Sequence, residues 1–306
     1  MTGVLLVNMG GALSQKEMKV FLSRMFKDPY ILPFGKLGRN MLAFLISNTR
    51  YKKSWAKYQL IGGTPIISAT EKTMDVLQSE LSEEYKVRVA FSYTEPLIPE
   101  SIDAFIREGI NDIIVIPLYP QSSSSTTWSV ESDVNKAKEG LNINIKLVKE
   151  FYDNKYYIEF WSNLIKQHIT EKNYTKPFLI FSAHSIPTYM IEKGDTYPKT
   201  IAESARLISE NLGLEYEQVY QSGMKRGEWM GPDVKDRLRE MAAEGKDQIV
   251  IIPISFVNEN LETLYDIDKE IVPFGLNELG IKNISRVMIP EADKTFIELL
   301  KNIIQN

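Results

Sequence analysis

The chain contains no cysteine and only two histidines among 306 residues. Without thiols it can form no disulfide, no thiolate nucleophile, no zinc–cysteine site and no cysteine-held iron–sulfur cluster. Two imidazoles are too few for a three-histidine zinc centre. Long apolar runs are also missing: none approaches the roughly 20 residues that cross a bilayer. The opening segment MTGVLLVNMGG lacks the basic n-region of a secretory signal and runs directly into a strand-like stretch. With 36 Lys+Arg against 40 Asp+Glu, the net charge of -4 provides no broad basic surface for nucleic acid. Neither G-x-G-x-x-G, nor G-x-x-x-x-G-K-[ST], nor G-x-S-x-G occurs, which argues against dinucleotide, P-loop and α/β-hydrolase chemistry. What remains is an ordinary globular composition, 43% hydrophobic, of cytoplasmic type.

The length suggests two domains of about 150 residues each. Short Val/Ile-rich runs without polar alternation read as strands buried on both faces of parallel sheets. They fall at 3–8, 87–93, 112–119 and 143–148, then at 177–183, 218–222, 248–256 and 284–289. Helical patterns lie between them at 70–84, 99–108, 155–170, 197–212 and 233–244. This alternation predicts an α/β protein of two Rossmann-like lobes, each a four-stranded parallel sheet flanked by helices. EGINDIIVIPLY at 108–119 echoes EGKDQIVIIPIS at 244–255 with a constant offset, so the two halves read as similar units. The lobes are expected at 1–142 and 143–306, with the last helix packing back on the first lobe and the ligand cleft between them. Ligands of such folds sit beyond the carboxyl ends of the strands. There the sequence places Met9, Tyr93, Tyr119 with Ser122 and Ser123 behind it, His184, the 221–223 loop and Phe256.

Four features could carry chemistry. The Ser/Thr run 122–127 can cap a helix and hold an anion with hydroxyls and N–H groups, or be a solvated loop. His184, in FSAHSIP, ends a buried strand, where an imidazole can take a proton from a weak acid; His168, within a helical pattern, reads as surface. Glu262, Asp266 and Glu270 are spaced i, i+4, i+8, which stacks them on one face of a helix, with Glu259 one turn earlier. Like charges at that spacing each cost a few tenths of a kcal/mol, so helix stability does not favour the ladder. A row of hard oxygen ligands suits a hydrated divalent cation that must move rather than stay; a solvated acidic face is the alternative. Finally, residues 29–70 contain no acid but carry Lys36, Arg39, Arg50, Lys52, Lys53 and Lys57 around the apolar stretches YILPF and MLAFLI. Such a segment reads as lying on anionic lipid, or as a helical hairpin packed on the core.

LVNMGG, LPFG, IGGTP, YPQSSSSTT, FSAHSIP, WMGPD and FVNENLETLYDID occur in that order, and together they resemble the ferrochelatases, which insert ferrous iron into a porphyrin to make heme. The resemblance spans nearly the whole chain and implies two chelatase-type lobes gripping the macrocycle in the cleft between them. It implies His184 as catalytic histidine and Glu262 as the carboxylate facing it, both also contacting metal. Asp266 and Glu270 become the acidic trail for metal or protons, and Glu259 an adjacent acidic position counted with the metal contacts. Met9, Arg50, Tyr58, Tyr93, Tyr119, Ser122, Ser123, Trp229 and Phe256 fall at substrate-bordering positions, and residues 29–58 form a lip over the porphyrin. Fe2+ enters as substrate, with no permanently bound cofactor. Three departures stand out: Asn260 where the family commonly has a histidine, Ser92 where relatives can carry arginine, and no cysteine-ligated iron–sulfur extension. The long lip is similar to that of the membrane-associated branch. The expectation is therefore Fe2+ insertion into protoporphyrin IX with release of two protons, at the inner face of a membrane, with a homodimer left open. Coproporphyrin III as substrate, another divalent metal, or a non-catalytic porphyrin or heme carrier are the alternatives.

Overall fold

The computed structural model describes residues 1–223 and 227–306 and divides into two compact units, Met1–Glu150 with Leu300–Asn306, and Phe151–Leu299. The first contains β1 (Thr2–Asn8), α1 (Gln15–Lys27), α2 (Lys36–Leu60), α3 (Ile66–Glu80), β2 (Tyr85–Phe91), α4 (Ile98–Arg107), β3 (Asp112–Pro117), α5 (Thr127–Lys138) and β4 (Asn144–Leu147). The second contains α6 (Lys155–Lys172), β5 (Phe178–His184), α7 (Thr188–Glu192), α8 (Tyr197–Leu212), β6 (Tyr216–Gln221), α9 (Val234–Ala243) and β7 (Gln248–Ile252). Two π-helical segments (Glu262–Ile271 and Phe274–Glu278), β8 (Asn283–Arg286) and the first turns of α10 (Lys294–Gln305) complete it.

Each unit is built on a four-stranded, all-parallel sheet, ordered β2-β1-β3-β4 in one and β6-β5-β7-β8 in the other. The order is the same in both once the strands are renumbered. Parallel strands need crossover helices on both faces, which is why the Val/Ile runs are buried throughout: Val4 to Val7 and Ile249 to Ile252 are inaccessible to water. Each such side chain contributes about 1.5–3 kcal/mol by burial. In the first unit Leu5, Val7, Phe105, Ile113, Val115 and Val130 share a core; in the second, Ile180, Val219, Leu238, Ile249, Ile251 and Ile267 do.

The echoed segments occupy equivalent places. α4 and α9 both end on a left-handed glycine, Gly109 at φ 76° and Gly245 at φ 77°. In each case the next N–H reaches back five residues, Ile110 to Phe105 and Lys246 to Met241, both at 3.0 Å. This is the helix stop that glycine favours, and it feeds β3 and β7 directly.

Three expectations need correction. The boundary is not at 142: β4 pairs with β3 from Asn144 to Leu147, so the first unit's sheet is complete only beyond it, and the division falls after Glu150. Leu300–Asn306, the last turns of α10, group with the first unit, where Lys301 pairs with Glu80 at 3.0 Å. Strands β3 and β7 end at Pro117 and Ile252, short of 119 and 256; beyond them Leu118 N–H still reaches the Val7 carbonyl at 2.7 Å and Ile254 N–H the Ser182 carbonyl at 3.2 Å. His168 is not on the surface. It is 8% exposed and its Nε2 lies 2.7 Å from Ser285 Oγ, on the face of α6 that also buries Tyr157, Trp161 and Ile165.

Candidate active site

The second unit gathers its chemistry at the carboxyl edge of its sheet. β5 ends on His184, whose backbone pairs with Gln221 at the end of β6. The imidazole Nδ1 is 2.6 Å from the Ser185 carbonyl oxygen. A carbonyl can only accept, so Nδ1 carries the proton of the neutral ring and Nε2 keeps its lone pair. The loop beyond is fixed: Ser185 N–H donates to the Gln221 carbonyl, Ser185 Oγ to the Met230 carbonyl, and Met230 N–H to the Ile186 carbonyl. Trp229 faces Pro187 across this short antiparallel bridge and is half-buried. Under the strand end the Tyr197 phenol is hydrogen-bonded to the His184 backbone, and burial pushes its pKa far above the ordinary value, so it stays neutral.

The acidic segment leaves the same edge. β7 lies beside β5 and is followed, through the half-buried Phe256, by the π-helix Glu262–Ile271. Its backbone bonds run from i to i+5, as in Val272 N–H to the Ile267 carbonyl; segments of this kind recur at functional sites. Glu262 and Asp266 are half-buried and Glu270 is exposed. Ser222, held at φ 62°, donates to Asp266 Oδ2 at 2.8 Å. Since Ser222 follows the register partner of His184, this bond draws Asp266 to the imidazole's edge of the sheet. Among the described residues no three His, Asp or Glu side chains form a metal-holding cluster, so the ladder is not arranged as one cage.

Glu259 stands apart from the ladder. Its carboxylate accepts from Arg286 Nη1 and from Ile289 N–H, each at 2.8 Å, and from Thr263 Oγ1. Arg286 is buried and forks onto Asp268 through Nε at 2.9 Å and Nη2 at 2.8 Å. Burial alone would lower its pKa; the carboxylates of Asp268 and Glu259 outweigh that and raise it. Asn260, which stands where the family commonly has a histidine, caps the helix. Its Oδ1 accepts from Thr263 N–H and its own N–H donates to Thr263 Oγ1, both at 3.0 Å, a reciprocal cap of the N-x-x-T form.

In the first unit Met9 follows β1 in a loop that only glycine can make. Gly10 sits at φ 85°, and a Cβ there would meet Thr94 Oγ1 at 2.7 Å; one on Gly11 would meet Thr64 Oγ1 at 2.5 Å. Thr94 Oγ1 closes the loop, accepting from Gly11 N–H at 3.0 Å and donating to its carbonyl at 2.7 Å. Tyr93, after β2, donates to Asp28 Oδ2 at 2.8 Å, and Ser129 of α5 donates to the same oxygen. Asp28 Oδ1 accepts from Tyr30 N–H at 2.8 Å. Burial first, and then the Asp28 charge, push the Tyr93 phenol well above its usual pKa; Tyr119 is raised by burial and hydrogen-bonds with Ser92. Both phenols are thus neutral.

The Ser/Thr run does precede a helix, α5, but its cap is internal: Ser123 carbonyl accepts from Thr126 N–H and Trp128 N–H, each at 3.2 Å, and Ser123 is buried while Ser122 is half-buried. On α2, Arg50 is exposed and Tyr58 is buried, its ring stacked on Trp55. Sequence reasoning missed Asp28, Asp268 and Arg286. An Asp-Pro at the head of the acid-free segment and an arginine inside an apolar strand were their only local signals.

A family model described as Ferrochelatase matches residues 1–306. The ferrochelatase of Aquifex aeolicus is 38% identical over 311 residues, covering 99% of this chain and 98% of that one. That of Gloeothece citriformis is 36% identical over 320 residues, covering 99% and 82%. Among solved structures, the sirohydrochlorin chelatase SirB from Bacillus subtilis subspecies spizizenii, in complex with cobalt, superposes with a TM-score of 0.59 at 10% identity, covering 99% and 94%. CbiX, the terminal enzyme of siroheme biosynthesis in denitrifying bacteria, gives 0.54 at 12%, covering 99% and 98%. At such identities these structures speak for the fold alone, whereas the sequence relatives follow the chain through both of its sheets. The chain belongs to the ferrochelatase family, the metal–porphyrin chelatases of heme synthesis.

Proposed function

We propose that the protein inserts Fe2+ into protoporphyrin IX, the ring losing both pyrrole N–H protons as the metal enters. The balance is one neutral porphyrin plus Fe2+ giving neutral heme plus two protons. Support comes chiefly from one observation: the Nδ1–H of His184 is committed to the Ser185 carbonyl at 2.6 Å, leaving Nε2 as an oriented acceptor. His184 takes the pyrrole protons. Glu262, with Asp266 and Glu270 behind it, passes the cation along exchangeable oxygen ligands. Met9, Tyr93 and Tyr119 in the first unit, and Trp229 and Phe256 in the second, offer neutral phenols and apolar faces that suit a flat aromatic substrate.

The test is anaerobic Fe2+ insertion by the purified protein into protoporphyrin IX and into coproporphyrin III. Faster turnover of protoporphyrin is expected. His184→Ala should lower kcat by about 10²- to 10⁴-fold, the usual share of a general base, and Glu262→Gln should abolish insertion with the fold retained. Near-normal rates in either variant overturn the role assigned to that residue.

We further propose that the protein docks peripherally on the cytoplasmic face of an anionic membrane. No helix among the described residues is long and apolar enough to cross one. On α2, however, Leu37 (86% exposed), Met41, Phe44 and Leu45 form one bare apolar face, next to exposed Phe34 and the basic residues Lys36 and Arg39. With Lys52, Lys53 and Lys57 further along, and about 1 kcal/mol per basic residue near such a surface, neutralising those three should weaken vesicle binding about 100-fold. Co-sedimentation with anionic and neutral liposomes measures it; equal binding to both removes the electrostatic contribution.

A further inference from the structure

The helix that carries the metal ladder holds five acids between Glu259 and Glu270 and one base, Lys269. The structure sorts these acids into two sets. Glu259 and Asp268 turn to Arg286, whereas Asp266 accepts from Ser222 at the sheet edge. We propose that Arg286 is the positioning residue of the metal-delivery face, acting through the π-helix it grips. The proposal rests on Glu262 and Asp266 being the groups that pass the cation.

Three observations point this way. Arg286 closes β8 with its side chain 1% exposed, so it serves the interior and not the solvent. Its guanidinium reaches both sides of the segment, Glu259 just before the helix and Asp268 in its second half, and its Nη1 also donates to the Val287 carbonyl at 3.1 Å. Planar fork geometry makes this possible; a lysine ammonium cannot bind Asp268 bidentately and span to Glu259. Finally, i→i+5 bonding is a rare and poorly favoured backbone arrangement, so its register has to be imposed from outside. The reciprocal Asn260–Thr263 cap fixes the start, Ser222 holds Asp266 from the sheet edge, and Arg286 fixes the face between. A helix free to relax to i→i+4 bonding would rotate Glu262 and Asp266 relative to each other and to His184.

Steady-state insertion kinetics with Arg286→Lys and Asp268→Asn, set beside Glu262→Gln, decide it. A misplacement of about 1 Å in a reacting group costs on the order of 100-fold. The clamp variants should therefore raise KM for Fe2+ or lower kcat about 10- to 100-fold, while porphyrin binding, followed by fluorescence quenching, stays within about twofold. Asp268, which is partly exposed, supplies the readable variant should Arg286→Lys not fold. Normal metal kinetics with only a lowered melting temperature mean that Arg286 is structural, and overturn the proposal. Equal damage to metal and porphyrin parameters overturns it as well. If Arg286→Lys is normal while Glu262→Gln is inactive, only the clamp is wrong; if Glu262→Gln itself inserts iron normally, the cation path beneath it fails and the clamp with it.

Discussion

The Asp28 carboxylate is where three elements of the first unit meet, and its coupling to Tyr93 can be measured directly. Tyr93→Phe deletes a hydroxyl that donates to Asp28 Oδ2 at 2.8 Å from a buried ring. A hydrogen bond to a charged group contributes about 1.5–3 kcal/mol. Asp28 keeps Ser129 and the Tyr30 N–H, so a loss near the low end, about 1.5 kcal/mol, is expected. For a domain of this size that lowers Tm by about 3–6 °C. Asp28→Asn preserves the shape but removes the charge; with its oxygen toward the Tyr30 N–H, its NH2 faces two hydroxyls that can turn to accept, so the charged bonds become neutral ones for an expected loss of about 1–2 kcal/mol. Because the two changes remove the same charged bond, the double variant should be about 1 kcal/mol more stable than the sum of the singles predicts. Urea or thermal unfolding of the four proteins gives the cycle. Alkaline titration gives a second reading, since Asp28 raises the Tyr93 pKa after burial does and its neutralisation should bring one tyrosine's ionisation down. Additivity within about 0.3 kcal/mol, with no tyrosine moved, would refute the coupling.

Further outcomes follow from other sites. Burial lowers the His168 pKa, with Lys172 and Arg286 adding to it against Glu171. The unfolded chain, at about 6.5, then holds a proton that the native state resists. This contribution to stability is complete above about pH 6.5 and declines as pH falls toward the native value. His168→Gln should flatten this limb in pH-resolved unfolding; an unchanged profile assigns the slope elsewhere. Asn260→Ala removes the cap bond to Thr263 N–H and should cost about 1–2 kcal/mol, read as a lower urea midpoint; no change would mean the cap is dispensable. Gly10→Ala combines a left-handed φ with a 2.7 Å approach to Thr94 and should cost about 1–3 kcal/mol; wild-type stability would show that the loop relaxes freely.

The central strands β1, β3, β5 and β7 were legible because burial on both faces leaves a plain apolar signature, and α8 (Tyr197–Leu212) falls where its pattern begins and ends. Strand ends were less so, since the apolar runs continue past Pro117 and Ile252, where β3 and β7 end. The i, i+4, i+8 acids suggested an α-helix, and nothing local distinguishes that from the i→i+5 bonding observed. The difference depends on Arg286, which lies 18 residues beyond Asp268 and 27 beyond Glu259. Asp28 was passed over for the same reason, its partner Tyr93 being 65 residues away. His168 and Asn260 are different: the 161, 165, 168 spacing and the N-x-x-T cap were both present to be read.

The strand registers carry the sequence echo much further than the twelve residues that reveal it. Val4 pairs with Ile114 and with Val87; Leu179 pairs with Val250 and with Tyr216. Because Ile114 and Val250 are equivalent in the echoed segments, so are Val4 and Leu179, and counting forward makes Met9 the counterpart of His184. By the same step Tyr93 corresponds to Ser222. Each of these last two hydroxyls donates to a carboxylate at 2.8 Å, Tyr93 to Asp28 and Ser222 to Asp266. One scaffold thus presents the same two stations twice, with different chemistry at each. The first unit offers a thioether and phenols that burial keeps neutral, groups that do not exchange protons near neutral pH. The second offers an imidazole with a directed lone pair and a carboxylate at the sheet edge, groups that exchange protons and bind cations. Such division needs no change of fold, because the loops at the carboxyl edge vary while the Val/Ile strands and the glycine helix stops behind them stay alike.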